Sequence, residues 1–327
     1  MPSALEEKVI LLTGGTGSFG TEFTKTLLKK LNPTKLIIFS RSELKQSEMA
    51  KQFIDPKMRY FIGDVRDLSR LERAFDGVDI VVHAAAMKHV PAAEYNPIEA
   101  IKTNVIGAMN VIDAAINCDV EKVVALSTDK AVNPINLYGA TKLCSDKLFI
   151  AANAYSGKHP TRFSVIRYGN VVGSSGSVIP LFMERRATGT IPITDVRMTR
   201  FWLTLRQGVE FVIRLLTLMK GGEIFVPKCK SMNLIDLASA IAPECDHEIV
   251  GIRPGEKLHE VLISADDTRH SVEMDDHFII EPEFPWWNAD HVAHGQKLPD
   301  GFVYGSDTNP QRLSKEDLAR ILSKEVD

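Results

Sequence analysis

Thr13-Gly14-Gly15-Thr16-Gly17-Ser18-Phe19-Gly20 is the stretch on which the fold turns. It follows an apolar run, Val9-Ile10-Leu11-Leu12, and opens into a segment of helical periodicity. Its glycines satisfy both the Gly15-x-Gly17-x-x-Gly20 and the Gly14-x-x-Gly17-x-x-Gly20 spacings. In a strand–turn–helix context, that pattern brings backbone N–H groups and the positive helix end up to a pyrophosphate, which side chains would hold off. The alternative is a glycine-rich turn without a ligand.

Working outward, short β-branched runs alternate with amphipathic stretches, as they do when helices cover both faces of a parallel sheet. Strands are expected at residues 8–13, 35–40, 58–63, 79–84, 122–127 and 162–168. After Gly169 the alternation gives way to a Gly- and Ser-rich loop at 173–177, a helix, an extended Ile191-Pro192-Ile193 and a helix over 205–219. The reading is an α/β fold. Residues 1–170 and 195–225 form a doubly wound, Rossmann-like parallel sheet, and 171–194 with 226–327 form a smaller substrate-binding lobe. The tail from Pro282, with Pro285-Trp286-Trp287, reads as an ordered surface extension or as a flexible end.

With 327 residues, 44% hydrophobic and 25% charged, the chain can build a substantial core without covalent staples. A net charge of -3, with Lys and Arg scattered, argues against a nucleic-acid partner. Cys118, Cys144, Cys229 and Cys245 contain no Cys-x-x-Cys pair, so neither a metal site nor a disulfide framework is expected. No cleavable hydrophobic leader and no bilayer-length apolar stretch is read, which points to a cytoplasmic protein without a membrane partner.

The end of the second strand reads Ser40-Arg41-Ser42-Glu43-Leu44-Lys45. A free ribose usually meets an acidic side chain here, whereas a 2′-phosphate favours hydroxyl and cationic donors. Arg41 and Lys45 with the serines therefore favour NADP, and Glu43 fits better as the partner of a Ser40 capping box than as a ribose ligand. Asp64-Val65 is expected at the adenine, and Ala84-Ala85-Ala86 as a small-residue floor under the cofactor. His83 reads as a satisfied histidine within the sheet.

Tyr138-Gly139-Ala140-Thr141-Lys142 puts a phenol and an ammonium on one helix face. A neighbouring cation and a cationic nicotinamide would lower the phenol's pKa, giving the base that hydride transfer at a carbinol carbon requires. An exposed helix pair is the plainer alternative. Just before it, Ser127-Thr128-Asp129-Lys130 ends the fifth strand, at the carboxyl edge where open α/β sheets bind ligands. A plain oxidoreductase needs only the hydroxyl and the Tyr/Lys pair. β-Elimination from a keto-sugar also needs a base and an acid, which Asp129 and Lys130 could supply, unless they form an ordinary surface ion pair.

These residues resemble the extended short-chain dehydrogenases/reductases, and within them the inverting UDP-N-acetylglucosamine 4,6-dehydratases of pseudaminic acid biosynthesis. The resemblance spans nearly the whole chain. It rests on the Thr13–Gly20 stretch, Ser40-Arg41 with Glu43 to Met49, His83 to Pro91, Ser127-Thr128-Asp129-Lys130 and Arg253-Pro254-Gly255-Glu256-Lys257. Retaining sugar-nucleotide dehydratases typically carry Thr-Asp-Glu where this chain has Thr128-Asp129-Lys130. The resemblance implies that Tyr138 takes the C4 hydroxyl proton as hydride passes to NADP. Lys130 then takes the C5 proton and Asp129 protonates the leaving C6 hydroxyl. Hydride returns to C6 and a proton to the opposite face of C5, giving UDP-2-acetamido-2,6-dideoxy-β-L-arabino-hex-4-ulose. Lys130 must be partly neutral for this, so burial or Lys142 is expected to depress its pKa. Gly14, Thr16, Gly17, Ser18, Phe19 and Gly20 would hold the pyrophosphate side of NADP, with Tyr138 and Lys142 at its nicotinamide end. Lys88, Asn104, Asn170, Val178, Arg200, Arg253 and Glu256 would cradle the UDP-sugar, although any charged member could be a surface group and Asn104 a helix-stabilising amide. The resemblance also implies a homo-oligomer, at least a dimer and up to a hexamer.

Three rivals remain. A C4-epimerase needs no elimination acid, and a retaining dehydratase would carry Glu at position 130. A regulator that binds NADP without turnover tends to lose the Tyr and Lys that this chain keeps.

Overall fold

The computed structural model describes residues 5–173, 177–284 and 295–325. The first six strands are β1 (Val9–Thr13), β2 (Lys35–Ser40), β3 (Met58–Ile62), β4 (Ile80–His83), β5 (Lys122–Thr128) and β6 (Arg162–Tyr168), each bound within one residue of its expected position. They lie parallel in the order β3-β2-β1-β4-β5-β6. All of β4 and nearly all of β1, β2 and β6 are buried, as expected of strands covered on both faces. The covering helices are α1 (Ser18–Lys30), α2 (Glu43–Gln52), α3 (Leu68–Phe75), α4 (Val90–Tyr95), α5 (Pro97–Ile101), α6 (Gly107–Asn117) and α7 (Leu137–Tyr155). A π-helical turn, Lys102–Ile106, joins α5 to α6.

Beyond β6 come β7 (Asn170–Val171), α8 (Val178–Arg186), β8 (Thr190–Ile193), β9 (Thr199–Leu203), α9 (Leu205–Leu218), β10 (Ile224–Pro227), β11 (Lys230–Asn233) and α10 (Leu234–Ile241). Then follow β12 (Asp246–Ile249), β13 (Val261–Ile263), β14 (Ser271–Glu273), β15 (His277–Ile280), β16 (Gln296–Lys297), β17 (Tyr304–Gly305) and α11 (Lys315–Glu325). A second core, including Ile179, Phe182, Ile193, Trp202, Leu237 and Leu318, sits among α8, β8, β9, α10 and α11.

The sheets do not follow the division drawn from the sequence. β10 adds parallel to β6, and β15, β14 and β16 continue the same sheet antiparallel, so these three strands extend the large sheet rather than the lobe. Conversely β9, assigned to the large unit, stands between β11 and β7 in a three-stranded sheet. Residues 174–176 of the expected loop and Pro285-Trp286-Trp287 lie outside the described residues. No helix of the described residues is long and apolar enough to cross a membrane.

Candidate active site

Gly14 turns the chain out of β1 at φ +67°, a conformation that favours glycine, and a Cβ there would stand 2.8 Å from the Ala85 backbone. Gly20 is closed more tightly, because a Cβ would meet the Gly15 carbonyl at 2.1 Å. The turn is thus pressed onto Ala84-Ala85 on one side and onto α1 on the other. Gly17 caps α1 without a side-chain hydrogen bond, and the ring of Phe19 stacks on Phe23 with centroids 5.8 Å apart. Thr16 and Ser18 flank Gly17 in the same turn. A cradle with no room for side chains, opening on a helix N-terminus, fits a dinucleotide pyrophosphate.

At the next strand end, one expectation is corrected. The N-cap of α2 is Ser42, whose hydroxyl accepts from the Lys45 N–H, and Glu43 is the first helical residue, so there is no Ser40–Glu43 capping box. Ser40 is engaged instead by the buried Gln46, whose amide donates to its hydroxyl at 3.0 Å and to its carbonyl at 3.1 Å. Arg41, Glu43 and Lys45 are exposed at this edge. The Arg41 guanidinium lies 3.7 Å from Asp64, which Arg66 also grips through two nitrogens. Val65 is buried beside Asp64.

His83 is the in-sheet histidine that the sequence suggests. Its Nδ1 is 2.8 Å from the Thr13 hydroxyl, and burial, with Lys142 adding to it, pushes its pKa down to about 3. That Thr13 hydroxyl also accepts from the Ala85 N–H, fixing the floor beside the glycine turn.

The chemical centre forms where β5 ends and α7 begins. Asp129 is fully buried in the short helical turn Asp129–Ala131, with its Oδ1 accepting from the Thr128 hydroxyl at 3.0 Å and from Lys130 Nζ at 3.0 Å. Its Oδ2 is buried and meets no hydrogen-bond donor among the described residues. Asn136 caps α7 through the Gly139 N–H, and the helix presents Tyr138 and Lys142, both buried. Burial raises the Tyr138 phenol to about 12, against the Lys130 charge and a Thr128 hydrogen bond that lower it. The cation that acts on the phenol in this state is therefore Lys130 rather than Lys142. Lys142 is itself pulled down by burial, opposed by Asp146 one turn on.

Lys130 reverses its expectation. Burial disfavours its charge, but Asp129 and Glu260 outweigh burial and raise its pKa above the ordinary lysine value. Glu260, which the sequence reading missed, is buried, and its Oε1 sits 3.3 Å from Lys130 Nζ. Also missed was Asp146, on the buried face of α7, where it accepts from the Ser127 hydroxyl at 2.7 Å and lies 3.8 Å from Arg167. His259-Glu260 beside the Arg253–Lys257 stretch was the available signal.

The expected UDP-sugar residues divide into two groups. Asn104, on the π-turn, donates to the Met87 carbonyl and the Thr141 hydroxyl and accepts from the Met87 N–H, so its amide pins the loop after β4 to α7. Arg200 is buried and spends its donors on the carbonyls of Thr199, Lys257 and Leu258. Both residues build the site's walls. Lys88 and Arg253 are exposed, with Arg253 bonded to Glu256. Asn170 keeps a buried Oδ1 without a donor among the described residues, and Val178 begins α8.

With this geometry in view, the profile of a family described as "Polysaccharide biosynthesis protein" matches residues 10–282. The chain belongs to that family. Among family relatives, the UDP-N-acetylglucosamine 4,6-dehydratase (inverting) of Campylobacter jejuni serotype O:2 is 56% identical over 97% of this chain and 98% of its own. The UDP-glucose 4-epimerase of Rickettsia massiliae is 40% identical over 97% of this chain and 95% of its own. Among solved structures, Pen from Bacillus thuringiensis superimposes with TM-score 0.90 at 38% identity, covering 98% of this chain and 99% of that one. The dTDP-glucose 4,6-dehydratase DesIV of Streptomyces venezuelae, solved with NAD, gives TM-score 0.70 at 25% identity, over 76% and 86%.

Proposed function

We propose that this chain is an inverting UDP-N-acetylglucosamine 4,6-dehydratase that keeps NADP as a resident cofactor, acts as a cytoplasmic homo-oligomer and opens the route to pseudaminic acid. The observation that carries the reading is the Asp129–Lys130 contact of 3.0 Å beside the Tyr138 phenol, in a chain 56% identical to an enzyme of that activity. An acid, a base and a phenol at one strand end suit oxidation, elimination and reduction in a single site.

The residues for the cofactor fit the glycine cradle at Gly14 and Gly20. Exposed Arg41 and Lys45, with no acidic side chain other than Glu43 in that turn, favour the 2′-phosphate. Bound there, an oxidised nicotinamide would supply the hydride acceptor for C4, the hydride donor for C6 and a positive charge beside the phenol. Tyr138 takes the C4 hydroxyl proton, with Thr128 and Lys130 favouring its phenolate. Lys130 removes the C5 proton made acidic by the C4 ketone, and Asp129 protonates the departing C6 oxygen. Exposed Lys88 and Arg253, with the buried Asn170 Oδ1 that meets no donor among the described residues, are the groups we assign to the UDP portion.

The 40% identical epimerase supports a second reading, C4 epimerisation. The two are separated by incubating the protein with UDP-N-acetylglucosamine in deuterated water, without added NADP, and following the sugar protons by NMR. A 4-keto-6-deoxy product with deuterium at an inverted C5 is expected. A C4 epimer alone, or retained C5, overturns the reading.

A further inference from the structure

Lys130 Nζ is held between two carboxylates, Asp129 Oδ1 at 3.0 Å and Glu260 Oε1 at 3.3 Å. Asp129 belongs to its own turn, whereas Glu260 arrives from the segment leading into β13. Glu260 is 2% exposed, and its backbone N–H donates to the Ser306 hydroxyl at 3.0 Å, so its place is fixed from behind. On its far side, Oε2 lies 3.6 Å from Lys257 Nζ, and Oε1 is 4.0 Å from the Arg200 guanidinium. Lys257 in turn donates to the Val132 carbonyl, just past the catalytic turn. The groups facing Lys130 are thus Asp129 and Glu260 in contact, with Arg200 and Tyr138 as further charged or titratable neighbours.

This arrangement raises a chemical difficulty and resolves it. An ammonium on Lys130 facing a carboxylate on Asp129 at 3.0 Å would leave each without the proton arrangement that the elimination assigned to them needs. We propose that Glu260 is the positioning residue of this pair: it holds Lys130 against Asp129 so that one proton, passed from Lys130 Nζ to Asp129 Oδ1, creates the amine base and carboxylic acid together. Lys257 and Arg200 keep Glu260 balanced while Lys130 is neutral. In the elimination, the amine lone pair takes the C5 proton and the C–H electrons form the C5–C6 double bond. The C6–O bond breaks with the Asp129 proton, and water leaves. Ammonium and carboxylate are restored, so the pair needs no proton from solvent.

The inference rests on the dehydratase reading for its kinetic test, but the wild-type lysine titration does not. In full-length protein carrying 15N-lysine, with the Lys130 signal assigned from its loss in Lys130→Met, Lys130 Nζ is expected to titrate above the exposed lysines. Titration at or below them overturns the proposal even if the enzyme is active. In Glu260→Gln, the alkaline limb of the kcat profile, where the shared proton is lost, should move down by about one pH unit or more. KM should stay within about twofold, since Glu260 touches no substrate, and Glu260→Asp should recover most of the limb. A uniform fall in kcat at every pH with an unmoved limb means that Glu260 serves only packing. A wild type that converts UDP-N-acetylglucosamine to another product removes the reading of the reaction while leaving the titration result standing.

Discussion

Gly139 packs directly on the carbonyl of Lys130: a Cβ added at position 139 would stand 2.1 Å from that oxygen. The helix carrying Tyr138 and the turn carrying Asp129 and Lys130 are therefore set against each other through bare backbone. Gly139→Ala must move one from the other. Because a displacement near 1 Å can cost about 100-fold in rate, kcat should fall by that order while dinucleotide affinity changes little. Steady-state kinetics beside a binding titration check this, and an unchanged kcat would show that the contact yields without consequence.

Lys130→Ala should abolish product formation yet leave dinucleotide binding intact. It also leaves Asp129 buried without its ammonium, a loss of roughly 3 kcal/mol or more, so a lower Tm is expected alongside. Wild-type turnover in this variant would remove the C5 base assigned here.

His83 gives a pH prediction of definite sign. Its folded pKa, about 3, lies below the unfolded value near 6.5, so the unfolded chain binds the extra proton between those limits. Stability from this residue is complete above the unfolded pKa and declines as pH falls, by about 1.4 kcal/mol per unit. Chemical denaturation of the wild type and of His83→Gln at pH 5 and pH 7.5 should show a smaller pH difference in the variant. Equal differences would locate the acid sensitivity elsewhere.

Arg41→Ala should weaken NADP by about tenfold, the value of one charge-assisted hydrogen bond, and NAD by less. Isothermal titration with both cofactors makes the comparison. Equal losses would mean that Arg41 does not read the 2′-phosphate, and its contact with Asp64 would then be its main role.

What the sequence made legible was local. The glycine turn is encoded in eight consecutive residues, and Tyr138 with Lys142 follows from helical spacing alone. Asp129 and Lys130 stood out because two opposite charges end an apolar strand. The upward shift of Lys130 was not fully legible, because burial and Asp129 are joined there by Glu260, which only the approach to β13 brings within 3.3 Å. Arg200 and Asn104 were named only through the resemblance, and the distant groups they bond, the Leu258 carbonyl for one and the Met87 carbonyl and Thr141 hydroxyl for the other, are encoded by no spacing. The cap of α2 was misjudged by two positions, since Ser40 and Ser42 both precede the helix and only the true end of β2 decides between them.

The antiparallel strands at residues 271–297 have a consequence for synthesis. The outer edge of β10 is covered by β15, which follows it in the chain, so whenever β10 pairs with β6 before residue 280 has left the ribosome that edge has no partner. That edge reads Ile-Phe-Val-Pro and is wholly buried in the finished protein. In such a nascent chain an apolar, unpaired strand edge would persist until about fifty further residues had emerged, the exposure that invites pairing with a neighbouring chain. Chaperone demand should be concentrated in that interval of translation.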